Sequence, residues 1–330
     1  MKALFHEGKA GMEGLTYGDI AEVNPGPGEV RVKLKTAGMN HRDLFVLHRH
    51  KPTDPALIVG SDGAGVIDAV GAGVVGVEVG TEVIINPGLG WKNVSDAPPE
   101  GFEIVGLPFH GTFAEQIIIP AENAVAKPKH LSWEEAGVLS LAALTAYRAL
   151  VTRGQVQPGM NVFIPGIGGG VATFLLQFAI AAGAHVYVTS RSEEKRVKAL
   201  QLGAIAAIDS NEDWTQALEG VKMDLVIESV GAATINQSMK QLRRGGTIVT
   251  FGSSTGDLVE LNLREFFYGQ YNLLGSTMGS AEEYKAMIDF ISQYKIKPIM
   301  DKMYPLDQFA DAFKRLEEAK QLGKIGFYVE

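Results

Sequence analysis

Between residues 161 and 251 the chain repeats one pattern five times, a short apolar run followed by a helical stretch. The runs fall at residues 161–164, 185–189, 206–208, 224–228 and 247–251. Each is too short for an ordinary helix and too continuously apolar for a half-solvated strand, so strands buried on both faces are predicted. Strands alternating with helices imply a doubly wound parallel sheet. A sixth strand-like run at 272–277 precedes a helical pattern at 281–294.

The chain outside this region has a different texture. Residues 1–123 are rich in Gly, Pro, Val and Ile, with extended runs such as 29–35 broken by turn residues, and predict a β-rich domain. A capping-box sequence, Ser132 with Glu135, marks the change to helical texture near residue 131. The final run, 324–329, is again extended and is expected to return to the β-rich domain. With 330 residues, 46% of them hydrophobic, two domains are expected. Their boundaries are placed at 1–122 plus 295–330 for the β-rich domain and 123–294 for the α/β domain.

Charged residues make up 21% of the chain, with a net charge of -8 spread in both signs, so nucleic acid is not an expected partner. No stretch approaches the roughly 18 uninterrupted apolar residues of a membrane helix, and the N-terminus lacks a signal-peptide core. A cytoplasmic location is expected. The absence of cysteine excludes disulfides, thiolate nucleophiles and sulfur-based zinc sites.

After the first α/β strand comes the sequence from Pro165 to Ala172, with glycine at 166, 168, 169 and 170 and then Val171. Strand, glycine turn and helix arrive in the order of a dinucleotide site, where the backbone must turn sharply and approach a pyrophosphate without a Cβ in the way. The G-x-G-x-x-G spacing fits imperfectly: Gly166 and Gly168 put Val171 third, whereas Gly166, Gly169 and Ala172 are spaced by one more residue. Some 20 residues on, where an NAD-preferring site carries an acidic residue, stands Ser190, followed by Arg191 and Lys195. A hydroxyl beside two cations suits a 2′-phosphate, which a carboxylate would repel, so NADP(H) is the expected cofactor. The competing reading of Arg191 and Lys195 is a solvated helix start.

Further motifs run along the whole chain: Pro27 to Val32, Gly38-Met-Asn-His-Arg-Asp43, Val59 to Gly65, Gly111 to Glu115, Leu144-Thr-Ala-Tyr147, Asp224 to Gly231 and Gly323-Lys-Ile325. In this order they resemble the medium-chain dehydrogenase/reductase superfamily, and within it the zinc-lacking, quinone oxidoreductase-like branch. The resemblance implies a Rossmann doubly wound parallel sheet with a GroES-like β-rich catalytic domain. Where zinc alcohol dehydrogenases carry Cys, His-Glu and a further Cys, this chain has Asn40, Ser61-Asp62 and Leu141. The region 87–109, corresponding to their structural zinc lobe, has no cysteine. His48 and His50 beside Asp43 and Asp54 read as a polar rim or surface loop, and no metal is expected.

The resemblance further implies a small-molecule quinone, enone or enal as acceptor of hydride. Unsaturated thioester reduction, alcohol or aldehyde activity, and a non-catalytic NADPH-binding role stand as alternatives. It places Asn40 and Asp43 in the catalytic set, Asn40 also against the cofactor. Thr145, Val230, Gly231, Phe251, Gly252, Ser253, Ser276, Thr277 and Met278 would border the cofactor, with Lys324 as a cationic pyrophosphate contact. A turn-forming Asn40, a helix-start Asp43 and a helix-interior Thr145 are the structural alternatives. The sixth strand, as an apolar edge, predicts a homodimer joined through the Rossmann sheet. The helix at 281–294 is the competing cover for that edge.

Overall fold

The computed structural model describes residues 1–329, which form two compact units. The unit of residues 143–278 is built on a six-stranded sheet: β1 (Asn161–Ile164), β2 (His185–Ser190), β3 (Ala206–Asp209), β4 (Met223–Glu228), β5 (Leu242–Thr250) and β6 (Asn272–Gly275). Their spatial order is β3-β2-β1-β4-β5-β6, with every pairing parallel. Val162, Phe163 and Ile164 of β1 and Leu225, Val226 and Ile227 of β4 are buried, as expected for central strands covered on both faces. Strand order reverses between β1 and β4, so the loops leaving their C-terminal ends diverge and open a crevice between them.

Two helices flank β2 in the sequence. Helix α1 (Gly170–Ala181) buries Phe174, Leu175, Leu176 and Phe178. Helix α2 (Glu193–Gln201) is capped by Ser192, whose side chain accepts from the Lys195 backbone N–H. On the sheet's far side Trp214 stands edge-on to Phe163, with ring centroids 5.3 Å apart. β6 is an edge strand, and its Leu273 is 41% exposed.

The other unit comprises residues 1–142 and, among the described residues, 279–329. Its central strand, Glu29–Gly38, pairs antiparallel with Asp62–Val70, Gln116–Pro120 and the C-terminal strand Lys324–Tyr328. The chain end therefore does return to the β-rich unit. Val30, Val32 and Leu34 alternate into its core, where Phe113 meets Phe327 edge-on at 5.0 Å.

The unit boundaries differ from those read in the sequence, lying at 142/143 and 278/279 instead of 122/123 and 294/295. Hydrogen bonds that span long sequence distances account for the shift. Thr36 Oγ1 donates to the carbonyl of Trp133 at 2.6 Å, fixing the helix Trp133–Gly137 on the central strand. The Ser140 and Tyr284 hydroxyls share a buried 2.7 Å hydrogen bond, and Ala281 N–H donates to the Trp91 carbonyl, so the helix Ala281–Tyr294 belongs with the β-rich unit. Among the described residues no helix is long and apolar enough to cross a membrane.

Candidate functional site

The turn after β1 has the backbone that its glycines suggest. Gly166 and Gly168 have φ of +76° and +155°, a region that side chains disfavour. Gly169 takes the N-cap position of α1 in extended conformation, and a Cβ there would meet open space. Among the described residues no side chain caps α1, so its first N–H groups remain available to an anion. The turn is pinned from β2: Gly166 N–H donates to Thr189 Oγ1 at 3.0 Å and Ile167 N–H to the Thr189 carbonyl at 2.7 Å. Val171 and Ala172 lie in the first turn of the helix, Ala172 buried against the sheet. These residues fit a dinucleotide pyrophosphate.

At the end of β2 the Ser190 side chain is buried and accepts from Ser192 N–H at 3.2 Å. Lys195 reaches back to the turn, its Nζ 3.0 Å from where a Gly168 Cβ would stand. Arg191 is exposed. Arg196, which sequence reasoning passed over, donates to the Ser190 carbonyl at 2.7 Å and to Asp209 at 2.8 Å, tying β2 to β3. The backbone N–H of Asn211, followed by the Arg196 charge, holds the Asp209 carboxyl below its usual range.

The crevice's other rim is organised by Glu228, a second residue missed in the sequence. Its carboxylate is fully buried at the end of β4 and accepts from Val230 N–H at 2.7 Å, Gly231 N–H at 3.3 Å, Thr234 Oγ1 at 3.0 Å and Ser238 Oγ at 2.7 Å. Gly231, at φ +91°, lets this loop press on the one after β5: a Cβ there would stand 2.8 Å from Ser253 Cα. Gly166 and Val230 likewise approach so closely that a Gly166 Cβ would meet Val230 Cγ2 at 3.0 Å. The structure thus brings Gly166, Gly168, Lys195, Val230 and Ser253 to one end of the sheet, with Phe251 and Gly252 beside them in the chain. Ser276 follows β6 and donates its N–H to the Thr250 carbonyl, whereas Thr145 and Met278 are buried.

In the β-rich unit a second polar cluster forms where three strands meet. Sheet register sets Gly38 opposite both Asp62 and Gly326, so Asn40, Asp62 and Lys324 converge. All three are buried, with relative exposures of 6%, 0% and 2%. Lys324 Nζ donates to Asn40 Oδ1 at 2.6 Å, to the Met39 carbonyl at 2.7 Å and to Asp62 Oδ2 at 3.3 Å. Asn40 Nδ2 donates to Asp62 Oδ2 at 2.9 Å, and Leu141 N–H donates to Asp62 Oδ1 at 2.7 Å. Asp43 accepts from Asn40 N–H at 2.8 Å through Oδ2, while its buried Oδ1 has no hydrogen-bond partner among the described residues. Burial pushes the Asp43 carboxyl up to about 6.

Asn40, Asp62 and Leu141 are the positions that the sequence comparison with zinc enzymes singled out, and their donor set does not fit zinc. It offers one carboxylate and an amide oxygen, both already bonded to a lysine ammonium. Ser61 is turned elsewhere, donating to the Val105 carbonyl at 2.8 Å and accepting from Arg42 at 2.6 Å. Among the described residues no group of three or more His, Asp or Glu side chains is placed to hold a metal. His50 is buried instead of lying on a rim, bonded to His6 at 2.9 Å and facing the Pro55 carbonyl; His48 is exposed.

Comparison with known proteins agrees with this architecture. Residues 26–129 match the alcohol dehydrogenase GroES-like domain and residues 170–293 the zinc-binding dehydrogenase family. A zinc-type alcohol dehydrogenase-like protein of Schizosaccharomyces pombe is 38% identical, over 91% of this chain and 90% of its own. The crystal structure of an NAD-dependent alcohol dehydrogenase superimposes with a TM-score of 0.93 at 35% identity, covering all of both chains. A crotonyl-CoA carboxylase/reductase in complex with NADP superimposes at 0.89 with 25% identity, over 100% of this chain and 95% of that one. The chain belongs to the medium-chain dehydrogenase/reductase superfamily of oxidoreductases.

Proposed function

We propose that this protein is an NADPH-dependent, zinc-independent reductase that passes hydride to a quinone or to an α,β-unsaturated carbonyl compound in the cytoplasm. The observation that carries the reading is the Asn40–Asp62–Lys324 cluster. Without a Lewis acid there is little to stabilise an alkoxide, so alcohol oxidation loses its main electrostatic assistance. An acceptor that is already electron-poor needs less. A bound nicotinamide cofactor would supply the hydride. The glycine turn and the α1 N-terminus would hold its pyrophosphate, with Val230, Gly231, Phe251, Gly252 and Ser253 along its length. Thr145, Ser276, Thr277 and Met278 are proposed as further contacts.

Cofactor choice rests on this chain's own residues. Ser190, Arg191 and Lys195 present a hydroxyl and two cations where a carboxylate would favour NADH. Asn40 has a second amide hydrogen beyond the one given to Asp62, and is proposed as the donor to a nicotinamide or substrate oxygen. Asp43 supports it by accepting a hydrogen bond from the Asn40 backbone N–H. The similarity to a crotonyl-CoA carboxylase/reductase favours an unsaturated thioester as a second reading of the acceptor. The test is a steady-state comparison of quinones, enones, enals, crotonyl thioesters and alcohols with either cofactor. Highest kcat/KM for an enone or quinone with NADPH is expected; fastest turnover of an alcohol with NAD would contradict the proposal.

A further inference from the structure

One of the two families that match the chain is named for zinc, yet the cluster at Asn40, Asp62 and Leu141 is closed by a side chain from the far end of the sequence. We propose that the Lys324 ammonium is the resident cation of this site, standing in for a metal and fixing the orientation of the Asn40 amide. This deepens the zinc-independent part of the proposed function and holds whichever acceptor is reduced.

The hydrogen-bond pattern is complete in one orientation only. An ammonium has three N–H donors and no acceptor, and Lys324 meets three oxygens, those of Asn40, Met39 and Asp62. Asn40 must point Oδ1 at the ammonium and Nδ2 at the Asp62 carboxylate. A flipped amide would set N–H against N–H and oxygen against carboxylate, so the lysine and the aspartate together lock it. Asp62 balances the lysine charge and is itself held through its second oxygen by Leu141 N–H. Charge in so buried a place persists only when paired and hydrogen-bonded. A divalent ion cannot enter while the ammonium stays, because both anionic and amide oxygens already face a cation. Lys324 is thus a positioning residue, and all three of its hydrogens are engaged within the β-rich unit.

Three measurements on the full-length protein test this. Purified wild type should carry no stoichiometric zinc, and its Tm should be unchanged by EDTA or added zinc; one tightly held zinc per chain would overturn the proposal. Lys324→Ala should lower Tm by roughly 10 °C. Ethylammonium or propylammonium should restore it saturably, with equal sodium chloride ineffective, since only an ammonium refills the space and presents three donors. No recovery with either amine would count against the cation role. Should that variant fail to fold, Lys324→Met with Asp62→Asn removes both charges at nearly constant volume. It is expected to fold and to lose kcat about tenfold or more with the Kd for NADPH unchanged, because the Asn40 amide is then free to turn. Weakened NADPH binding at full kcat would instead assign Lys324 to the cofactor pyrophosphate and defeat the positioning role. The zinc and Tm arms need no substrate, so a wrong acceptor assignment would leave them untouched.

Discussion

Ser190 and Asp43 show how much can turn on one side chain. Ser190 stands buried at the end of β2 with Lys195 nearby over the glycine turn. Ser190→Asp would set a carboxylate against a 2′-phosphate; it should weaken NADPH binding tenfold or more, about 1.4 kcal/mol, and leave NADH binding equal or better. Calorimetric titration of both cofactors checks this, and an unchanged preference would move the discriminating contact elsewhere. Asp43 makes a prediction about acid. Burial raises its carboxyl from the ordinary 3.8 to about 6, so between those values the folded chain binds a proton that the unfolded chain has released. Its contribution to stability is therefore greatest below pH 3.8 and is lost as pH rises through 6. Asp43→Asn should remove that component, so that the difference in unfolding free energy between variant and wild type changes across pH 4 to 6. A constant difference over that window would mean that Asp43 titrates normally.

Among the elements, the loop leaving β4 owes its shape to Glu228. Four donors converge on its carboxylate, so Glu228→Ala should cost roughly 2–4 kcal/mol in urea unfolding and weaken NADPH binding through loss of the Val230–Gly231 loop. Full stability in the variant would show that the loop holds itself. Glu228 was not legible in the sequence, because an acidic residue ending a strand looks like any solvated loop residue until the strand's burial is known. The glycine turn was legible, since its backbone demands are local and only glycine meets them. The sheet was equally so: five buried parallel strands write their period directly into the chain. The lysine cluster was not. It joins residues 284 apart in sequence, and Lys324 beside Gly323 reads as a cationic pyrophosphate contact, its bonds to Asn40 and Asp62 appearing only once register sets its strand against Gly38. The unit boundaries differ from the sequence reading for a related reason, because the helix Ala281–Tyr294 follows the Rossmann strands in sequence yet is anchored by Tyr284 to Ser140.

For the whole molecule, assembly centres on β6, an edge strand that exposes Leu273 and whose Gly275 carbonyl accepts from Arg153 Nε at 2.9 Å. We propose that two copies join there about a two-fold axis, which needs only one self-complementary strand from each. Light scattering at micromolar concentration should give twice the 35.4 kDa chain mass, falling to the single mass in Leu273→Glu; a wild-type monomer would reject the dimer. Hydride transfer from NADPH without a metal is tested with enzyme dialysed against a strong chelator, NADPH carrying deuterium at the transferable C4 position, and an enone acceptor. Deuterium should appear on the β-carbon of the reduced product at a rate that neither chelator nor added zinc alters. Transfer that stops on chelation and returns with zinc would make the enzyme metal-dependent and rule out metal-free hydride transfer.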